Sequence, residues 1–121
     1  MDLKISEMMQ MQKDLFAIHA HEWTPMEPRF GKDFILYMIE EVGETISILK
    51  KKGHDAVMQD PVVRNAFLEE MADVLMFYHE ILLRFDVTPE EISQAYAGKH
   101  GYDMKRDYNK QYKELYTDGE K

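Results

Sequence analysis

Apolar residues recur along this chain at intervals of three and four, and strict alternation of apolar and polar positions is poor. That is the pattern of amphipathic helices rather than strands. The segment Trp23-Thr24-Pro25-Met26-Glu27-Pro28 carries two close prolines and predicts a break. Lys52-Gly53-His54-Asp55 predicts another, with Gly53 suited to the position just after a helix that ends in the cationic run Lys50-Lys51-Lys52. Asp60-Pro61 reads as cap and first residue of a new helix. Thr88-Pro89-Glu90-Glu91 repeats the signal and adds a capping-box Glu. Four helices follow, at about 2–22, 32–51, 61–86 and 89–115, and Gly98 and Gly101 predict a kink or split in the last. Residues 117–121 read as a frayed tail. The expected architecture is all-α, a four-helix bundle in one domain spanning 1–116.

The two faces of the second helix are unlike. At about 100° per residue, Ile35, Ile39, Val42, Ile46 and Leu49 form one stripe, the expected core face. Phe34, Tyr37, Glu41, Glu44 and Ile48 lie opposite, mixing bulky apolar groups with two acids; Glu40, Ser47, Lys50 and Lys51 fall on the flank. In the third helix Val63, Phe67, Val74, Phe77, Tyr78, Ile81 and Phe85 make a broad apolar stripe. Glu70 falls within it and Asp73 on its edge, while Glu69 and Glu80 are expected farther toward solvent. A helix this apolar on opposite faces cannot bury both inside so small a unit, so the bundle is expected to be completed by association of copies.

Composition narrows the classes of function. With 121 residues, 45% apolar content and no Cys, the chain can build a core but neither a disulfide scaffold nor a thiolate metal site. A net charge of −8 argues against nucleic acid or an anionic membrane as partner. No apolar run reaches the ~18 residues of a membrane span, and MDLKISEMMQMQ holds no uninterrupted apolar stretch of the kind a signal peptide needs. A cytoplasmic protein is the expectation.

Glu41/Glu44 and Glu70/Asp73 are same-face pairs three residues apart. Surface acids on helices commonly face Lys or Arg one turn away. Here positions 37, 45, 48, 66, 74 and 77 are Tyr, Thr, Ile, Ala, Val and Phe. Four carboxylates brought together without cations repel and raise one another's pKa. Hard divalent cations relieve that repulsion, and an oxygen-only donor set suits Mg²⁺, with Mn²⁺ as the alternative. A di-iron carboxylate bundle needs Glu-x-x-His motifs, and His19, His21 and His79 all lack the Glu.

Glu40-Glu41-x-x-Glu44 followed by Glu70-x-x-Asp73, continuing as Asp73-Val74-Leu75, resembles the signature of the all-α nucleoside triphosphate pyrophosphatase superfamily, the MazG-like proteins with the dimeric dUTPases and dCTP pyrophosphatase-like proteins. The resemblance covers roughly residues 12–108. It implies a MazG-like fold, association into a homodimer or dimer of dimers, and Mg²⁺-dependent hydrolysis of a nucleotide substrate between its α and β phosphates. It further implies that Glu41, Glu44, Glu70 and Asp73 hold the metal, with Glu41 part of the catalytic group and Glu40 an outer acid or general base. Lys99-His100-Gly101-Tyr102-Asp103-Met104-Lys105-Arg106 is similar to the family's phosphate-contacting segment, Lys99 and Arg106 being the phosphate contacts and Tyr96 a pocket residue. Asp103 stands where the family pattern has Asn, suited to a sugar hydroxyl but repelling phosphate. His19 and Trp23 resemble base-side positions, and Tyr37, with Phe34, is a pocket-wall candidate. Two other classes stay open: a non-catalytic nucleotide- or metal-binding regulatory protein, and a structural helical module whose acids are merely surface.

Overall fold

The computed structural model describes residues 1–116, and among them every regular element is helical. Six α-helices form where the pattern predicts four: α1 (Ile5–His19), α2 (Gly31–Lys52), α3 (His54–Gln59), α4 (Pro61–Arg84), α5 (Pro89–Lys105) and α6 (Tyr108–Tyr116), with a short 3-10 turn at Pro28–Phe30. None of the described helices is long and apolar enough to cross a membrane. The chain divides into two compact units, Met1–Pro89 and the segment from Glu90 onward. The tail expected at 117–121 lies outside the described residues.

The punctuation read from the sequence falls at real boundaries. Gly53 closes α2 with φ +85°, a conformation costly for any residue with a Cβ, and donates its N–H to the Leu49 carbonyl. The chain restarts at once as α3, a single short helix not foreseen in the pattern, which buries Val57 and packs on both α2 and α4. Asp60 caps α4, its Oδ1 accepting from the Val62 N–H at 3.0 Å, with Pro61 as first residue. The last predicted helix does split, but not at its glycines. α5 runs through Gly98 and Gly101 and ends at Lys105, and Asp107 Oδ1 accepts from the Lys110 N–H at 2.9 Å to start α6. A cap that satisfies an orphan N–H decides the break more strongly than the modest helix cost of glycine.

Within the first unit α2 and α4 form the principal pair, α1 lies on α4, and Phe34 of α2 turns inward while Tyr37 beside it stays 42% exposed. Phe34 is buried, its ring 5.2 Å from Tyr37 and 6.2 Å from Phe77 of α4; Tyr37 lies 6.3 Å from Phe77. This reverses the expected core assignment. The Ile35–Ile39–Val42–Ile46–Leu49 stripe faces outward, with Ile39 and Ile46 56% and 50% exposed. The reason is size: rings on α2 and α4 fill the gap between two helices where the aliphatic side chains would leave it short of contact. On α4, Phe67, Val74, Phe77 and Ile81 are half-buried, but Tyr78 and Phe85 are exposed. Among the described apolar residues only Met9, Phe34 and Val57 are fully buried. The Phe85 ring packs directly over Gly31 at the start of α2, so a Cβ there would require that ring to move.

A buried polar network locks the loop after α1 to this pair. Glu80, expected near solvent, is 4% exposed and Arg84 1%. Arg84 Nη2 donates to Glu80 Oε1 at 3.1 Å and to the Thr24 carbonyl at 3.2 Å, and Nη1 donates to the Pro25 carbonyl. The guanidinium lies 3.6 Å over the Phe34 ring, and Gln12 Nε2 of α1 donates to Glu80 Oε2 at 3.3 Å. α1, its following loop, α2 and α4 thus meet at one ion pair. Removing one partner of a buried pair leaves an uncompensated charge. Arg84→Met is therefore expected to lower unfolding free energy by about 3–5 kcal/mol in urea denaturation, and Glu80→Met/Arg84→Met to cost less than either single change.

Candidate metal centre and adjoining cleft

Antiparallel pairing of α2 and α4 places Glu41 opposite Glu70 and Asp73, as Tyr37 is placed opposite Phe77 one turn away. Glu41 and Glu70 are half-buried. One carboxylate oxygen from each of Glu41, Glu70 and Asp73 lies within 4.8 Å of the others. None of the three forms an ion pair among the described residues. Glu70 Oε2 is buried with no hydrogen-bond partner. A buried acceptor without a donor is costly, so the group is polar, crowded and uncompensated.

The electrostatics agree with that geometry. The Glu41 carboxyl is pushed up to about 7, first by partial burial, then by the hydrogen bond it donates to Glu70 when protonated, and then by the charges of Asp73, Glu70 and Glu44. Glu44 therefore lies near enough to repel Glu41 but is exposed and stands outside the group of three. Glu40 is exposed on the α2 flank and belongs neither to the trio nor to the cleft lining. An all-oxygen set with one orphaned buried oxygen and no ion pair among the described residues fits a hard divalent ion.

A cleft of about 420 Å³ opens beside the trio, Asp73 being common to both. Trp23, Phe34, Tyr37, Met76 and Phe77 are its aromatic and large apolar lining residues, and Leu15, Glu22, Thr24, Gln12 and Glu80 complete the lining with Asp73. His19 stacks on Trp23, ring centroids 4.6 Å apart and 17° from parallel, and does not itself line the cleft. The i, i+4, i+7 spacing of Asp73, Phe77 and Glu80 puts all three on one face of α4. That spacing is the sequence signal that could have singled out Phe77 and Glu80 as cleft residues; Gln12, Met76 and Thr24 carry no comparable signal.

Tyr96, Lys99, Asp103 and Arg106 belong to the second unit. Lys99 Nζ pairs with Asp103 Oδ1 at 2.5 Å, and Arg106 Nη1 approaches the same oxygen at 3.8 Å. Both cations also lie near the Tyr102 ring, at 5.3 and 5.9 Å. Tyr96, Lys99 and Asp103 share a concavity with Ile92, Ala95 and His100. Asp103 thus approaches two cations, Lys99 one turn back on α5 and Arg106 just past the helix end.

Comparison with known protein families, curated proteins and solved structures finds no match for this chain.

The raised Glu41 pKa has a definite sign in stability. Between 4.5 and about 7 the folded state holds a proton that the unfolded state has released, so this contribution is complete below 4.5 and is lost as pH rises through 7. His79 acts oppositely: burial holds its imidazole below the usual 6.5, so its contribution is lost as pH falls. The difference between wild type and Glu41→Gln isolates the first effect. In chelator, urea denaturation is expected to show Glu41→Gln more stable than wild type at pH 8, with the gap closing toward pH 4.5. A gap independent of pH would mean that Glu41 does not share the crowded site.

Proposed function

We propose that this protein is a Mg²⁺-dependent nucleotide pyrophosphohydrolase of the MazG-like kind, cleaving a nucleoside triphosphate between its α and β phosphates to a monophosphate and pyrophosphate. The observation that carries the reading is the continuity of the Glu41–Glu70–Asp73 group with an aromatic-walled cleft through Asp73. A nucleotide is one of few metabolites that needs both parts: a hard cation for its phosphates and flat apolar walls for its base.

Glu41, Glu70 and Asp73 would hold Mg²⁺, or Mn²⁺, with Glu44 the fourth acid that the sequence resemblance implies. Bound there, the ion supplies positive charge to the polyphosphate and acidifies water. The chain's own residues do the remainder. Trp23, its ring fixed by stacking on His19, and the Phe34, Tyr37 and Phe77 cluster take the base and exclude water. Glu41 gives up the proton it holds against Glu70, leaving the acids fully ionised for the cation. Glu40, next to Glu41 and open to solvent, is the candidate acceptor for the proton of the attacking water. By the sequence resemblance, Lys99 and Arg106 are the candidate phosphate contacts, Tyr96 a pocket residue and Asp103 the acceptor for a sugar hydroxyl; within the second unit Asp103 pairs with both cations.

The outward aliphatic stripe on α2 supports association into a homodimer or dimer of dimers. A contiguous apolar face of that kind marks an interaction surface. Ile39→Glu/Ile46→Glu is expected to shift sedimentation equilibrium to the monomer. A second reading, a nucleotide- and metal-binding protein without turnover, is favoured by one observation: Asp103 already neutralises Lys99.

Turnover separates the two. With Mg²⁺ and a mixture of triphosphates, equimolar monophosphate and pyrophosphate are expected, and orthophosphate alone would overturn α–β cleavage. Glu70→Gln and Asp73→Asn are expected to lower kcat/KM on the order of 100-fold, the scale of removing one preorganised electrostatic partner. Each should also abolish the rise in Tm that millimolar Mg²⁺ gives the wild type. A Tm indifferent to Mg²⁺ would favour a purely structural helical module.

A further inference from the structure

The cleft has two unlike ends on one helix. Asp73 stands at one and Glu80 at the other, seven residues along α4. At 1.5 Å per residue that is about 10 Å of helix, a distance comparable with the reach from an α-phosphate to the far edge of a base. Met76 and Phe77 lie between them, facing Tyr37 and Phe34 of α2.

The far end is a built polar site. Glu80 and Gln12 are each at least nine-tenths buried and both line the cleft, whereas Arg84, which neutralises Glu80, does not. A ligand in the cleft therefore lies against the Glu80 and Gln12 side chains and not against Arg84. Glu80 Oε1 accepts from Arg84 and Oε2 from Gln12 Nε2. A carboxylate has about four lone-pair sites, so these two bonds leave it acceptor capacity. The bond to Glu80 also sets the Gln12 amide, with Nε2 turned toward the carboxylate and one N–H of that nitrogen left to donate. A fixed acceptor thus sits beside a fixed donor. Replacing such an ion pair with apolar groups is often neutral or stabilising, so stability alone does not account for a buried carboxylate at the end of an aromatic slot.

We infer that Glu80 and Gln12 read the Watson–Crick edge of the base and select bases with an exocyclic amino group, cytosine or adenine, over uracil and thymine. Glu80 accepts from the amino N–H, and Gln12 Nε2 donates to the adjacent ring nitrogen. Uracil and thymine present the reverse order, a carbonyl oxygen where the amino group would be and an N–H at the ring position, so one fixed acceptor–donor pair cannot serve both. Carboxylates also accept from the cytosine amino group in protein–DNA recognition, there from its major-groove side. Arg84 acts through Glu80, as a positioning residue. The inference rests on the nucleotide reading above and adds base selection to it.

The test is a matched pair, dCTP against dUTP, whose bases differ only at the amino or carbonyl position and at the adjacent ring nitrogen. Pyrophosphate release with Mg²⁺ gives kcat/KM for each, and fluorescence of Trp23, the sole tryptophan, follows titration with dCMP and dUMP. Wild type is expected to favour the cytosine nucleotides on the order of 10-fold or more. Gln12→Met, which leaves the Glu80–Arg84 pair intact, and Glu80→Met/Arg84→Met, which leaves no lone buried charge, are both expected to move the ratio toward unity. A wild-type preference for dUTP, equal use of the two, or a ratio unmoved in both variants overturns the assignment and leaves the hydrolase reading standing. Absence of both pyrophosphate release and fluorescence change with every nucleotide overturns the two together.

Discussion

Arg84 is buried to its guanidinium, and the groups that satisfy it come from separate parts of the first unit: the Phe34 ring from α2, the Glu80 carboxylate one turn back on α4, and two carbonyls from the loop after α1. A buried cation must be paired and hydrogen-bonded or it does not stay buried. Meeting that condition brings α2 against α4 with its ring-bearing face inward and pins Thr24 and Pro25, next to Trp23, at the end of the cleft. The acids then have no choice of place. With Phe34 at Arg84 and Tyr37 at Phe77, the next turn of α2 sets Glu41 against Glu70 and Asp73.

That arrangement runs against stability in a local sense. Three carboxylates converge with no cation among the described residues, one of them with an orphaned buried oxygen and another with its pKa raised to about 7. Such strain is tolerable only where the surrounding packing holds it, and the aromatic seam one turn away supplies that packing. It also explains why the seam is aromatic. The same rings that close the two helices together are the walls of the cleft, so one set of contacts positions the acids and shapes the space beside them.

The aliphatic side of α2 is the counterpart. Its five branched residues would make an adequate core, yet they face outward in the single chain while the thin interior holds few fully buried apolar side chains. Both faces of α2 are apolar, and only one can meet α4. The larger groups took it, because rings bridge an interhelical gap that aliphatic groups leave open.

Helix termini, helical class and the pairing of acids one turn apart were set by the sequence itself, since caps, prolines and i, i+3 spacing act within a few residues. Gly53, Asp60-Pro61 and the sharing of one helix face by Glu70 and Asp73 were legible for that reason, whereas the approach of Glu41 to them across two helices was only implied by the resemblance. Which face of α2 is inside, the burial of Glu80, and the part of Gln12 in the cleft were decided only in three dimensions. A helical wheel weighs hydrophobicity along one helix, whereas burial depends on which neighbour supplies matching volume or a counter-charge. Arg84, four residues from Glu80 and sixty from Thr24, found its partners by both routes, and only the nearer could be read from the chain.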